Sequence, residues 1–231
     1  LVHATVSSSS EIESYSPTKS GYQLVYRDEF NNNSLNTNDW YYRHSSGPRL
    51  GGYNRKKNVS VTTEDGLGIL KIAYTKDDVF DNGKLVPVGG GIISKTTFGY
   101  GYYETRIKFY DETRGFHQSF WNYGYSDRKD ANNDLVPWSN KAIELDGIEL
   151  DSDFNTSWVN FHWHIDGPDQ TDIGTKEQTR VDSHIDTDQW VTVGFEWLPD
   201  EVVYYIDGVE RYRYTYNADD PRYTPSEIWL T

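Results

Sequence analysis

The sequence predicts an all-β protein, a sandwich or jelly roll of two antiparallel sheets, and three observations carry that expectation. Short apolar runs rich in aromatic and β-branched residues recur along the chain, separated by Gly, Asn and Asp clusters. Helical periodicity is nearly absent. The apolar content is dominated by aromatics, with 8 Trp, 19 Tyr and 9 Phe in 231 residues, side chains that suit a pleated sheet with one wet face. Evenly spaced strands of this kind over some 200 residues fit a single two-sheet domain.

In chain order, residues 1 to 20 are Ser-rich and without periodicity and read as a flexible lead-in, and residues 21–231 read as one domain. Gln23–Arg27, Val59–Thr63, Leu67–Thr75 and Gly91–Thr97 have the composition and length of strands. A longer alternating stretch runs from Tyr100 to Tyr110, and Val191–Trp197 and Val202–Ile206 follow the same rule. Asp207-Gly208, set between Tyr204-Tyr205-Ile206 and Val209-Glu210-Arg211, is a strong signal for a two-residue hairpin.

Charge and composition exclude several function classes. The 22 Lys+Arg against 36 Asp+Glu give a formal net charge of −14, and no basic patch offsets it, so nucleic acid is not an expected partner. So many aromatics argue against a disordered acidic tail. No apolar run approaches the ~18 residues of a spanning helix, so no membrane partner is expected either. The absence of cysteine removes disulfides, thiolate metal sites and thiol nucleophiles together. The composition reads as that of a soluble, secreted or extracellular protein, and a monomer is expected.

The densest acidic run is Ile143-Glu144-Leu145-Asp146-Gly147-Ile148-Glu149-Leu150-Asp151. Regular alternation puts Glu144, Asp146 and Ile148 on one face and Glu149 on the other. A glycine inside a strand often marks a bulge that adds one residue. A bulge at Gly147 brings Glu149 back to the face of Glu144 and Asp146, so that three carboxylates line one track. Hydrolysis of a glycosidic bond with retention needs two carboxyl groups about 5–5.5 Å apart, one nucleophilic and one proton-donating. Glu144 and Glu149 suit those roles, with Asp146 hydrogen-bonding the nucleophile, and crowding of like charges keeps one proton available. A solvated acidic strand or a cation site is the alternative on spacing alone.

A calcium loop starting at Asp151 fails, because its sixth position is Thr156 and its twelfth is His162. His162-Trp163-His164 sets two imidazoles on one strand face, but a metal there needs a third ligand from afar. The histidines fit better as groove residues beside the acids. Phe116, Phe120, Trp121, Tyr123, Trp138, Trp158 and Trp163 surround the acidic run; aromatic faces pack on sugar C–H faces, though a core role accounts for about half of them. Trp121 and Trp138 flank the acids and lead as sugar platforms. Arg49, in the Gly-rich loop Gly47–Gly52, and Arg55 are substrate-rim candidates or solvated loop charges alike.

Several of these segments together resemble the family 16 glycoside hydrolases. Glu144-Leu145-Asp146-Gly147-Ile148-Glu149 matches the bulged Glu-x-Asp-x-x-Glu signature, the version of the β-1,3-glucanases, agarases, porphyranases and carrageenases. Tyr100-Gly101-Tyr102-Tyr103-Glu104-Thr105-Arg106-Ile107-Lys108 is similar to the Tyr-Gly-x-x-Glu-x-Arg-x-Lys strand, and Ser119-Phe120-Trp121 to the Ala-Phe-Trp that follows it. Tyr26-Arg27-Asp28-Glu29-Phe30 with Trp40, and Phe195-Glu196-Trp197-Leu198-Pro199-Asp200 leading to Asp207-Gly208, are similar in the same order. The resemblance implies a jelly roll of two curved sheets with a concave substrate groove. It also implies endo-acting, retaining cleavage of a β-linked polysaccharide. Glu144 then matches the nucleophile, Asp146 the assisting carboxylate and Glu149 the general acid/base.

Two departures qualify the family pattern. Where many β-1,3-glucanases read Trp-Pro-Ala-Phe-Trp, this chain reads His117-Gln118-Ser119-Phe120-Trp121, so an imidazole replaces a stacking indole. With His162 and His164 beside Trp163, this leaves β-galactan and β-1,3-glucan nearly even as substrates, with a lean to galactan. Family members also continue past a strand like Glu227–Thr231 into a closing strand that the domain is expected to lack. No cofactor is expected beyond a structural calcium. A non-catalytic carbohydrate-binding jelly roll and a transglycosylase are the alternatives; the intact acidic triad argues against the first.

Overall fold

A computed structural model describes residues 2–4, 22–45, 52–110, 117–124, 142–151, 157–164, 176–181, 185, 189–215 and 226–231. Its strands, in chain order, are β1 (Val2–Ala4), β2 (Tyr26–Arg27), β3 (Trp40–Tyr42), β4 (Tyr53–Asn54), β5 (Val59–Glu64) and β6 (Leu67–Ile72). Next come β7 (Thr75–Asp81), β8 (Lys84–Gly89), β9 (Ile92–Ser94), β10 (Gly101–Lys108), β11 (His117–Tyr123) and β12 (Ala142–Asp151). The last are β13 (Ser157–His164), β14 (Lys176–Val181), β15 (Trp190–Trp197), β16 (Glu201–Ile206), β17 (Val209–Thr215) and β18 (Glu227–Leu230).

These strands build the expected two-sheet sandwich. One sheet has the order β17-β16-β15-β10-β1-β2 and the other β14-β13-β12-β11-β18-β9-β3. A small sheet β4-β8-β7 and the hairpin β5-β6 complete the described part. Among the described residues no helix is long and apolar enough to cross a membrane.

Alternation along each strand sends one set of side chains between the sheets. Tyr103, Val193, Phe195, Trp197, Val202 and Tyr204 enter from the first sheet; Trp40, Ile92, Phe120, Leu145, Ile148 and Ile228 enter from the second. Phe195 joins the two layers: its ring stacks on Tyr103 at 4.8 Å and meets Phe120 at 5.6 Å. Each large apolar side chain buried this way contributes about 1.5–3 kcal/mol.

Three two-residue turns close hairpins with left-handed backbone at both positions. They are Asp65-Gly66 (φ 51° and 82°), Asn82-Gly83 (47° and 80°) and Asp207-Gly208 (49° and 72°). Asp and Asn tolerate this region and glycine occupies it freely, and the twist of such turns matches that of the strands they join.

Some expected strands are shorter than their composition suggests. Gln23–Arg27 pairs only at Tyr26–Arg27, and Leu24 and Val25 are exposed. Gly91–Thr97 pairs only at Ile92–Ser94, where Ser94 Oγ donates to the Thr96 carbonyl and accepts from the Ile228 amide. Within the segment read as lead-in, Val2–Ala4 pairs in parallel with β10 and β2.

Candidate active site

The acidic run forms the ten-residue β12, between β11 and β13 in the second sheet. Along β11, Phe120 stands opposite Ile148 and the next residue, Trp121, opposite Asp146, so Gly147 has no counterpart. The register with β13 shifts over the same interval. This is the one-residue bulge expected at Gly147. Glycine is required there for space: a Cβ would lie 2.5 Å from the Phe195 ring and 3.1 Å from the Phe120 carbonyl oxygen. Leu145, Ile148 and Leu150 are buried in the core. Glu144, Asp146 and Glu149 therefore share the opposite face, Asp146 only 1% exposed and the two glutamates half-buried.

Neighbouring strands extend this face in three rows. The first runs His162, Glu144, Tyr123, Glu227. The second runs Asn160, Asp146, Trp121, Trp229, Ile93, Tyr41. The third starts Trp158, Glu149, Ser119. It continues to Thr231, whose amide and carbonyl both bond to Ser119, and the Arg43 amide donates to Gly91 farther along the same line. The carboxylates thus stand at the head of a surface that crosses the sheet perpendicular to its strands.

Individual contacts define the chemistry. His117 Nε2 lies 3.1 Å from Glu149 Oε1, both side chains partly exposed. The Trp121 and Trp229 rings meet at 4.7 Å, and Tyr123 approaches Trp121 edge-on at 6.0 Å. The Arg43 guanidinium lies over both indoles, 5.6 Å from the Trp121 centroid and 5.1 Å from that of Trp229.

The residues singled out from sequence distribute as follows. Glu144, Asp146, Glu149, His117 and Trp121 come together on one face. His162 and His164 fall in phase with Glu144, opposite Glu144 and Ala142, whereas Trp163 is opposite Ile143, one position out of phase. Arg49 and Trp138 lie outside the described residues. Arg55 is not a rim charge: its guanidinium donates to the Ser45 and Asn54 carbonyls and lies over Tyr53 at 4.3 Å, clamping its own loop. Trp229 and Arg43 also lie on this face, and no sequence pattern marks them. They reach this face through β18 and the end of β3, pairings that no local pattern announces. Among the described residues no group of three or more His, Asp or Glu is arranged to hold a metal.

The model for the glycosyl hydrolases family 16 matches residues 50–231. The chain is similar to the beta-glucanase of Acetivibrio thermocellus, 32% identical over 164 residues, 65% of this chain and 42% of that protein. The match thus spans under half of that relative's length. Among solved structures it is similar to a Bacteroides ovatus mixed linkage glucan family 16 protein in complex with G4G4G3G product. There the TM-score is 0.67 at 16% identity, over 88% of this chain and 83% of that one. Porphyranase B of Zobellia galactanivorans gives a TM-score of 0.65 at 21% identity, over 88% and 77%. At these identities the two structures show a shared jelly-roll fold.

Proposed function

Because the chain belongs to glycosyl hydrolase family 16, we propose that it is an endo-acting, retaining glycosidase that cleaves a β-linked polysaccharide, a β-galactan or β-1,3-glucan. The observation that carries this reading is the Gly147 bulge, which turns Glu149 onto the face of Glu144 and Asp146. A strand that needed only solubility has no use for a bulge that crowds three carboxylates together. The beta-glucanase and porphyranase names of similar proteins supply the two substrate classes.

In the first step the Glu149 carboxyl gives its proton to the glycosidic oxygen while Glu144 attacks the anomeric carbon. The carbon–oxygen bond breaks and a glycosyl ester on Glu144 remains. In the second step the Glu149 carboxylate takes a proton from water, the oxygen of which attacks the same carbon and releases Glu144. Asp146, buried between the two on the same face, helps hold the ester carboxyl in place. His117 is a positioning residue: its Nε2–H, within reach of Glu149 Oε1, fixes that carboxyl and leaves the second oxygen to carry the transferred proton. Trp121, with Trp229 beside it and the Arg43 guanidinium over both rings, forms the aromatic floor of the face next to the carboxylates.

Digestion of laminarin, mixed-linkage glucan, agarose, porphyran and carrageenan by the wild type and by Glu144→Ala tests the proposal. The wild type is expected to release oligosaccharides from at least one polymer, and the variant to lose at least about a thousandfold in rate. Binding without cleavage by the wild type would defeat the hydrolase reading in favour of a carbohydrate-binding protein.

A further inference from the structure

We propose that Phe195, buried in the opposite sheet, is a positioning residue for the catalytic pair: its ring supports the Gly147 bulge and so holds Glu149 at working distance from Glu144. The proposal rests on the glycosidase reading above and adds to it a residue from the far side of the core.

A bulge leaves its extra residue without a ladder partner, so the backbone there is held by whatever packs on it. Gly147 is that residue, between Asp146 opposite Trp121 and Ile148 opposite Phe120. On its core side it meets the Phe195 ring: a Cβ on Gly147 would lie 2.5 Å from Cδ1 and 2.9 Å from Cε1. The ring therefore fills the space that a side chain at the bulge would take. Two packed side chains can relax by changing rotamer. A ring packed on main chain instead passes any displacement on to the strand.

The ring is itself fixed. Phe195 is fully buried on β15, opposite Tyr103 of β10 and Tyr204 of β16. It stacks on the Tyr103 ring with the planes 8° apart and meets the Tyr204 ring at 6.3 Å. Phe120, which packs on it from the second sheet, is the β11 residue at which the register shifts. One ring thus touches both strands of the bulge while three others hold it in place. Retention requires carboxyl groups about 5–5.5 Å apart, and a misplacement of about 1 Å can cost about a hundredfold in rate. Glu144 and Glu149 lie on either side of Gly147 along β12, so a shift of the bulge changes their separation. A core residue can therefore govern the rate without lining the groove.

The test is a double-mutant cycle on the full chain: Phe195→Leu, Gly147→Ala and the two together. Melting temperatures are measured, and kcat and KM are read well below all of them on a polymer that the wild type cleaves. Phe195→Leu is expected to lower kcat about 10- to 100-fold with KM changed less than about threefold. Ile206→Val, a truncation of another core residue of the first sheet, serves as the stability control and should lower kcat less than about twofold. In the double variant the added methyl enters the room the ring vacates. It should recover about tenfold in kcat over Gly147→Ala alone, a rescue that two independent packing losses would not give. A Phe195→Leu protein that melts lower yet keeps wild-type kcat would overturn the positioning role and leave the glycosidase reading intact. So would rate losses that simply multiply in the double variant. If Phe195→Leu does not fold, Phe195→Met carries the same cycle with a smaller change in volume. A wild type that cleaves no polymer would overturn both the role and the reading.

Discussion

Glu149 is held by a partner that the family pattern does not supply. At His117, where many β-1,3-glucanases carry an indole, an imidazole nitrogen lies 3.1 Å from the Glu149 carboxylate. If that contact positions the acid/base, His117→Ala should lower kcat about 10- to 100-fold with a smaller change in KM. Its pH–rate profile should also shift, a response that a purely structural residue would not give. Glu149→Gln should slow cleavage of natural polymer by at least about a hundredfold. It should spare the first step on an aryl glycoside whose leaving group needs no proton, visible as a burst of released phenol. The sequence made the carboxylates legible because they lie within six residues of one another. It could not show Arg43, whose guanidinium lies over two indoles some 80 and 190 residues away.

At the scale of the strand, the bulge in β12 rests on one missing side chain. Gly147→Ala places a methyl group against the Phe195 ring and the Phe120 carbonyl. Overpacking of this kind costs about 1–3 kcal/mol, so thermal unfolding should come several degrees lower. Activity should fall further than stability, since relieving the clash shifts Glu149 relative to Glu144. A Gly147→Ala protein with wild-type melting and wild-type activity would show that the bulge has room to spare. The bulge was readable from a glycine set among alternating residues. The β7-β8 hairpin was not, although Asn82-Gly83 is as strong a turn signal as Asp207-Gly208. Its flanks, Lys76-Asp77-Asp78 and Lys84, look like loop, and only pairing with each other and with β4 makes strands of them.

For the molecule as a whole, the sandwich was legible and its wiring was not. Alternating aromatic and β-branched runs specify strands with one buried face, but sheet order depends on pairings such as Trp229 with Ile93, which no local pattern encodes. The outer face of the first sheet carries a further consequence. Tyr22 and Tyr205 donate to the two oxygens of Glu196 at 2.8 and 3.0 Å, tying the chain ahead of β2 to β15. Burial, followed by Glu196, pushes the Tyr22 hydroxyl well above its ordinary range. Burial, with the charges of Asp28 and Asp39, does the same to Tyr26. The folded state therefore keeps protons that the unfolded chain gives up. Stability from these groups is complete below about pH 10 and is lost as pH rises beyond it. Denaturant midpoints should fall from about pH 10 upward, and the fall should be shallower in Tyr22→Phe and Tyr26→Phe. An unchanged alkaline slope in both variants would remove the tyrosines as its cause.

In the proposed reaction Glu144 and Glu149 work as a nucleophile and an acid/base on one bond. It is tested most directly by proton NMR of the wild-type digest in its first minutes, before mutarotation. Two displacements at the same carbon predict that the new reducing end appears first as the β anomer and only later equilibrates. Initial appearance of the α anomer would contradict a covalent intermediate on Glu144 and the retaining reaction.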